Sequence, residues 1–484
     1  MMDDRAPLDH EPQIDTDAVM MAAPEPARNS QELDEEDNTL RPSFLRKVSE
    51  ALDAEDQETA YNLVEPLHPA DIADLFELIG HEYRAPLARA INDLLGSEVL
   101  AELNDWVRDD LVDELEPEEV ADLAEQMETD DAVAMIEDMD AADQAAVLAE
   151  MEPEDRAAIE SALSYPEESA GRLMSRDVIA VPEHLSVGAL IDYLRSDDEL
   201  ATEFWEVFVV DVKHRPVGTC QLSWILRTPR EVALADVMKR DQTLIPVTMD
   251  QEEVALRFQK YALISAAVVD EGGRLVGQIT VDDVVHIIQE EASEDILRLS
   301  GAGDGDINEP IALTVRTRLS WLVVNLGTAM VAASVVGMFQ GAIAHFALLA
   351  VLMPIVSGMG GNAGTQTLAV VVRAIATNQL TSSNTVRMIL RELRIALANG
   401  LSLGLLIGLG TTLIFGNPHL GAVIAAAMVI NNLVAGLAGI LVPVTLDRLR
   451  VDPAVSSAVF VTMATDVMGF FSFLGLAVAT GLAA

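Results

Sequence analysis

Pro354-Ile-Val-Ser-Gly-Met-Gly-Gly-Asn362-Ala-Gly-Thr365-Gln366-Thr-Leu-Ala-Val-Val-Val-Arg373-Ala-Ile-Ala376 lies inside a long apolar segment, yet it is crowded with small residues and carboxamides. Lipid-facing helices avoid such groups, because an unpaired polar group is destabilising in hydrocarbon. This face must look at protein or at water. Tight helix packing is one explanation, since small residues let helices approach closely and Ser, Thr, Asn and Gln bond across the contact. A conduction path is the other, and a second stretch favours it. From Ala454 onward the single ionisable side chain is Asp466, in Thr462-Met-Ala-Thr465-Asp466-Val-Met-Gly469. An intramembrane carboxylate is by default a functional site.

Around these stretches the sequence contains five apolar spans, at about Leu319 to Phe339, Ala342 to Val372, Ile389 to Phe415, Leu420 to Val444 and Val455 to Leu482. Each is near or beyond the ~20 residues that cross a bilayer. Arg316 and Arg318 precede the first span, Arg373, Arg387, Arg391 and Arg394 surround the second connection, and Arg448 and Arg450 precede the fifth span. The connections near Gln340 and Asn417 carry no Lys or Arg. Positive residues stay inside, which predicts a cytosolic N-terminus and an external C-terminus.

Upstream the composition changes sharply. The chain has 484 residues and a formal net charge of −49, nearly all of it before Ile311. Such an acidic half repels nucleic acid and anionic lipid and attracts cations, whether solvent counterions or bound metal. A single cysteine, Cys220, excludes an intrachain disulfide and a zinc site built from several Cys ligands. No charged stretch leads into an apolar run at the start, so no secretory signal is expected and the acidic half is expected in the cytosol.

Residues 1–43 are rich in Asp, Glu, Pro and Ala, which predicts a disordered acidic tail. Residues 44–170 carry a repeat: Leu115-Glu-Pro117-Glu-Glu119, Met127-Glu-Thr-Asp-Asp131, Met139-Asp-Ala-Ala-Asp143 and Met151-Glu-Pro153-Glu-Asp155, with Leu67-His-Pro69-Ala-Asp71 as an earlier copy. Each heads a short amphipathic helix, and short helices at a fixed period stack into an all-α superhelical domain. Residues 171–281 alternate strands and helices twice. Val178 to Val181, Val207 to Val212 and Pro216 to Gln221 read as strands, with Val187 to Leu194 helical between them. Thr243 to Val247, Ala266 to Asp270 and Leu275 to Thr280 repeat that order, with a helix over Glu252 to Tyr261 and a turn at Gly272-Gly273. This α/β tandem resembles a pair of CBS modules.

The second copy carries Gly277-Gln-Ile-Thr280-Val-Asp282-Asp283, similar to the Gly-x-x-Thr-x-x-Asp ribose-binding pattern of that family. The resemblance makes Thr280 and Asp283 nucleotide-binding candidates and ATP a candidate ligand. The first copy has Gly218-Thr-Cys220-Gln221-Leu-Ser-Trp224, with Trp224 where an acid is expected. Residues 282–310 form a connecting helix and linker whose end is markedly acidic. Glu291, Glu294 and Asp295 share one side by their spacing. Like charges there destabilise an isolated helix, so either a divalent cation neutralises them or they form a solvated connector.

A helical-repeat acidic domain, tandem CBS modules, an acidic connecting helix and a five-helix all-α membrane domain (residues 311–484) containing Gly360-Gly361-Asn362-Ala363-Gly364-Thr365-Gln366 together resemble the MgtE family of magnesium channels and transporters. The resemblance covers about residues 44–484 and implies a multidomain membrane protein of the cytoplasmic membrane that imports Mg²⁺. It implies a homodimer whose axial pore is lined by the second and fifth spans, with Asp466 as the pore metal ligand. Mg²⁺ gives up water reluctantly and prefers octahedral oxygen ligands, so paired Asp466 carboxylates suit a hydrated ion. Asn362, Thr365, Gln366 and Asn432 are the candidates to offer oxygens to its waters. The family also implies a cytosolic sensor that closes the pore when Mg²⁺ is high, matched here by Asp250, Glu252, Asp283, Glu291, Glu294 and Asp295. His286 stands where relatives carry an acid. Two competing functions are an ion-coupled divalent-cation exchanger and a membrane-anchored metal or nucleotide sensor without transport. Five spans do not divide into inverted repeats, which counts against the exchanger, and a mere anchor has no use for Asp466. No nucleophile, base and acid are grouped in one segment, so an enzyme is not expected.

Overall fold

Proline at the first helical position has its φ already set and no N–H to satisfy, and acids just behind it suit the positive end of a helix. The repeat uses both devices: Pro69, Pro117 and Pro153 each open a helix. The computed structural model describes residues 39–113, 115–196, 204–301, 307–381, 383–455 and 457–482. Most of the expected acidic tail, residues 1–38, lies outside them. The chain divides into two units, the first being Met1–Glu167 with Met174–Ile179 and Leu194–Thr202.

Among the described residues the first unit contains α1 (Pro42–Asp53), α2 (Gln57–Val64), α3 (Pro69–Leu78), α4 (His81–Ala90), α5 (Ser97–Glu102), α6 (Asp105–Val112), α7 (Pro117–Ala124), α8 (Thr129–Glu137), α9 (Ala141–Glu150) and α10 (Pro153–Leu163). Leu40 is already buried in its core beside Phe44. Residues 39–43 therefore belong to the helical domain and not to the tail, a boundary that a run of charge and proline conceals. The core runs through Phe76, Leu87, Ile91, Leu100, Met135 and Ile136. Two buried arginines tie helices of this unit together. Arg84 on α4 donates to the Phe76 carbonyl at 3.1 Å and reaches Asp110 on α6 at 2.6 Å. Arg108 on α6 meets Asp105 at 2.7 Å and Asp138, just past α8, at 3.0 Å. Burial, with the charge of Asp138 adding to it, pushes the Asp109 carboxyl up to about 6.

In the second unit, β1 (Ala180–Pro182) pairs in parallel with β2 (Glu206–Val210), and β2 pairs antiparallel with β3 (Pro216–Gln221). The pattern repeats as β4 (Leu244–Pro246), β5 (Ser265–Val269) and β6 (Leu275–Thr280), and the ladder shifts register at the same place, Val209/Val210 and Val268/Val269. Both hairpin turns are locked alike: Asp211 with Arg215 and Asp270 with Arg274. The first copy places His214 at φ 60° where Gly273 sits at φ 72° in the second. Helices α11 (Val187–Ser196), α12 (Leu222–Arg227), α13 (Leu234–Val237), α14 (Gln251–Tyr261) and α15 (Val281–Ser300) complete the modules and the connecting segment.

The membrane part contains α16 (Ile311–Met338), α17 (Gln340–His345), α18 (Leu348–Ala376), α19 (Thr385–Phe415), α20 (Pro418–Arg448) and α21 (Ser457–Ala479). Five of these are long and apolar enough to cross a membrane, α17 being the exception. The second expected span, Ala342 to Val372, is two helices. The chain leaves helical geometry at Phe346 (φ −136°, ψ 82°), directly after His345 in an otherwise apolar run. Helix α20 is the most buried of the five and α16 the least. Gly404 and Gly408 on α19 let it approach α20 closely: a Cβ on either would lie 2.8 Å from a backbone carbonyl oxygen, of Ala425 and Gly421 respectively.

Candidate functional site

On α18 the buried positions Val356, Gly360, Gly364 and Leu368 alternate with exposed Pro354, Gly358, Asn362 and Gln366, each set recurring every four residues. Spacing of four keeps residues on one helix side, so α18 has a small-residue packing face and a separate face bearing carboxamides. The packing explanation accounts for one side of the helix and leaves the carboxamide side exposed. Asp466, half-buried on α21, accepts a short hydrogen bond from the Ser357 hydroxyl of α18. Ser357 was not among the expected residues. A serine beside glycines signals packing as readily as ligation, and 109 residues separate it from Asp466.

The other expected pore residues are distributed. Asn362 is exposed. The Thr365 hydroxyl is engaged by its own helix, 3.1 Å from the Gly361 and Asn362 carbonyls. Gln366 and Asn432 line a cavity of about 210 Å³ together with Arg391, Glu392 and Asn399. Asn432 is buried and donates to the Met428 carbonyl at 2.9 Å. Glu392 is 5 % exposed and paired with Arg391 at 2.8 Å. Glu392 went unremarked in the sequence because it stands among arginines that read as the charged flank of a span.

A second polar region lies where α14 packs on α15. Asp250 caps α14, accepting from the Glu252 N–H at 3.0 Å. Burial pushes the Glu252 carboxyl up to about 7, with further contributions from Glu291, Asp295, Asp250 and Asp452. Burial also raises Glu291 and Asp295, while Gln251 donates to Glu291 at 2.7 Å and opposes the rise there. Carboxyls held above their usual range in this way gain from a cation between them. Part of that need is met within the chain. Arg298 pairs with Glu294 and, at 2.8 Å, with Asp452. Asp452 follows the fourth span and is 154 residues away, so spacing on α15 could not reveal it. Among the described residues no three His, Cys, Asp or Glu side chains stand together as a ready metal cage. Asp283 sits apart from this group: it accepts from the Thr280 hydroxyl and N–H at 2.7 Å and 3.2 Å, closing a capping box that starts α15.

Thr280 and Asp283 therefore hold each other. The cleft between the two modules, of about 1000 Å³, is lined instead by Thr219, Lys239, Thr243, Lys260 and Ser265 among others, and by Thr377 and Asn378 from the connection after α18. Trp224 occupies in α12 the place Asp283 holds in α15, and it is 45 % exposed. The first copy thus lacks the capping box, and its helix stops after six residues.

Comparison with known proteins matches three families in chain order. The MgtE intracellular N domain matches residues 67–168, the CBS domain residues 234–290, and MgtE, described as a divalent cation transporter, residues 353–476. The magnesium transporter MgtE of Bacillus subtilis is 31 % identical over 318 residues, 66 % of this chain and 70 % of that one. The magnesium transporter MgtE of Thermus thermophilus is 34 % identical over 322 residues, 66 % of this chain and 71 % of that one. A crystal structure of the cytosolic domain of the Mg²⁺ channel MgtE in complex with ATP is similar at 28 % identity and a TM-score of 0.47, covering 50 % of this chain and 99 % of that one. The chain belongs to the MgtE family of multi-pass divalent cation transporters.

Proposed function

We propose that this chain carries Mg²⁺ across the cytoplasmic membrane into the cell, and that its acidic cytosolic part senses Mg²⁺ and closes the path when the ion is abundant. The observation that carries the proposal is Asp466: a carboxylate in the middle of an apolar helix, held by Ser357 of the neighbouring helix. One carboxyl oxygen is occupied by the hydroxyl, and the other is left to a water of a hydrated ion. A hydrated dication between two anions relieves the desolvation of both, which a lone buried carboxylate cannot do. The exposed Asn362 and Gln366 support a second copy of the chain across a shared axis, because carboxamides on a bilayer-crossing helix need water or protein beside them. The arginine-bearing connections support a cytosolic N-terminus and an external C-terminus.

The sensor is assigned to Asp250, Glu252, Glu291, Glu294 and Asp295, joined by Asp452, with Asp283 shaping the start of α15. Cations favour whichever state brings these carboxyls together, and they shift the population by that difference in affinity. The cleft between the modules has the size of a nucleotide site, and its Lys239 and Lys260 suit phosphates, so ATP is assigned there and not at the Thr280–Asp283 cap.

Mg²⁺ flux into proteoliposomes tests the proposal, with wild type and Asp466→Ala reconstituted in equal amounts. Uptake by the wild type and its loss, by about tenfold or more, in the variant is the expected outcome, in line with the weight of an intramembrane charge. Equal uptake by both removes Asp466 from the path, and no uptake by either leaves a sensor without transport.

A further inference from the structure

Asn431 lies at the middle of α20 with no exposed surface. Its Nδ2 donates to the Val356 carbonyl of α18 at 2.8 Å, the residue directly before Ser357. The same carboxamide fills space left by glycines on two other helices. A Cβ on Gly360 of α18 would overlap Nδ2, and a Cβ on Gly469 of α21 would lie 2.8 Å from Nδ2 and 3.2 Å from Cγ. Gly360 is three residues from Ser357, and Gly469 three from Asp466. Residues three apart share a helix side. Asn431 therefore touches each pore helix within a turn of the two groups that meet at the candidate ion site. One turn along, the three-helix seam continues through Gly364, Ala435 and Thr465.

A packing role alone does not explain the residue type. The Asn431 Oδ1 is buried without a hydrogen-bond partner among the described residues. An orphaned buried carbonyl is destabilising, and an apolar side chain of the same size avoids that loss. Leucine would fill the space but could not hold the Val356 carbonyl.

We propose that Asn431 is the positioning residue of the Asp466 site: its carboxamide, wedged between Gly360 and Gly469 and bonded to Val356, sets the spacing and rotation of α18 and α21 so that Ser357 meets Asp466. Asn431 touches no ion, and its role rests on Asp466 being the ion site. Holding a ligand in place in this way is worth about 10- to 100-fold in metal affinity at sites where such partners have been removed.

The test compares wild type, Asn431→Leu and Asp466→Asn in Mg²⁺ flux into proteoliposomes, reading the half-saturating Mg²⁺ concentration and the Mg²⁺ to Ca²⁺ flux ratio, with thermal stability measured on the same preparations. Asn431→Leu is expected to match or exceed the wild type in stability, to raise the half-saturating concentration about tenfold or more, and to lower the flux ratio. A filler of space leaves both transport readings unchanged, so wild-type values in Asn431→Leu overturn the proposal while a loss in Asp466→Asn leaves the ion site standing. Should Asn431→Leu not reach the membrane, Asn431→Ala is read in the same way. Wild-type transport by Asp466→Asn overturns the ion site and this role with it.

Discussion

Arg298 is placed among the carboxyls at the end of α15, shared between Glu294 on its own helix and Asp452 beyond the fourth span. Arg298→Ala leaves both acids unpaired, next to Glu252, Glu291 and Asp295, which already repel one another. The Arg298 side chain is 37 % exposed, and those of Glu294 and Asp452 are 26 % and 29 % exposed. Each pair is therefore partly screened and contributes toward the upper end of the ~0.2–1 kcal/mol range of solvent-accessible ion pairs. The Glu294 pair lies within the helix and only the Asp452 pair ties α15 to another element, so the loss in docking is up to about 1 kcal/mol, a factor of up to roughly 5 in the equilibrium between docked and undocked α15. Amide hydrogen exchange of residues 290–300 in the full-length protein measures this directly. Without Mg²⁺, protection there is expected to fall by that factor in Arg298→Ala. Millimolar Mg²⁺ is expected to restore it, because the ion replaces the missing guanidinium. Unchanged protection without Mg²⁺ would refute the assigned weight of the pairs, and a Mg²⁺ response absent from both proteins would refute cation binding by the cluster.

Two further outcomes follow from geometry and charge. Gly404→Val drives a branched side chain onto the Ala425 carbonyl oxygen, 2.8 Å from where its Cβ would stand, and is expected to lose about 1–3 kcal/mol in a thermal-stability assay in detergent; Gly410→Ala, with nothing within 4 Å of the new atom, is expected to be neutral or to gain up to about 1 kcal/mol. The Asp109 carboxyl is raised to about 6 from an ordinary 3.8, so its contribution to stability is full below the unfolded value and is lost as pH rises through about 6. Asp109→Asn is therefore expected to flatten the decline in protection of α6 and α8 between about pH 4 and about pH 6, read by hydrogen exchange with intrinsic rates corrected for pH; an unchanged slope would assign the decline to other groups.

Much of the architecture is legible because it is written locally. The hairpins β2–β3 and β5–β6 follow from alternating apolar residues around a tight turn, and Pro216–Gln221 and Leu275–Thr280 appear as read from the sequence. The spans follow from hydropathy, which is also why the break at Phe346 escapes it: His345 apart, the flanking residues are small or apolar, and the change is one of backbone angle. Asp466 stands out because no other charge lies near it in the sequence. Ser357, Asn431 and Asp452 do not, since their roles arise only when helices distant in sequence meet, and each residue type has an ordinary explanation where it stands. The acids of α15 show the opposite limit. Their spacing correctly signals crowded charge, but the arginine that pairs with Glu294 sits one turn away and reads as a normal helix end.

Thr377 and Asn378 belong to the connection between two bilayer-crossing helices, yet they form part of the wall of the cleft between the CBS modules. Whatever lodges in that cleft has some of its surroundings supplied by the membrane domain. Its affinity then depends on where the connection stands, and reciprocity fixes the converse: an occupant that prefers one position of α18 stabilises that position by the same factor by which the position tightens its own hold. If a soluble metabolite fills the cleft, its concentration and the displacement of a helix in the bilayer become two variables of a single equilibrium, each measurable through the other.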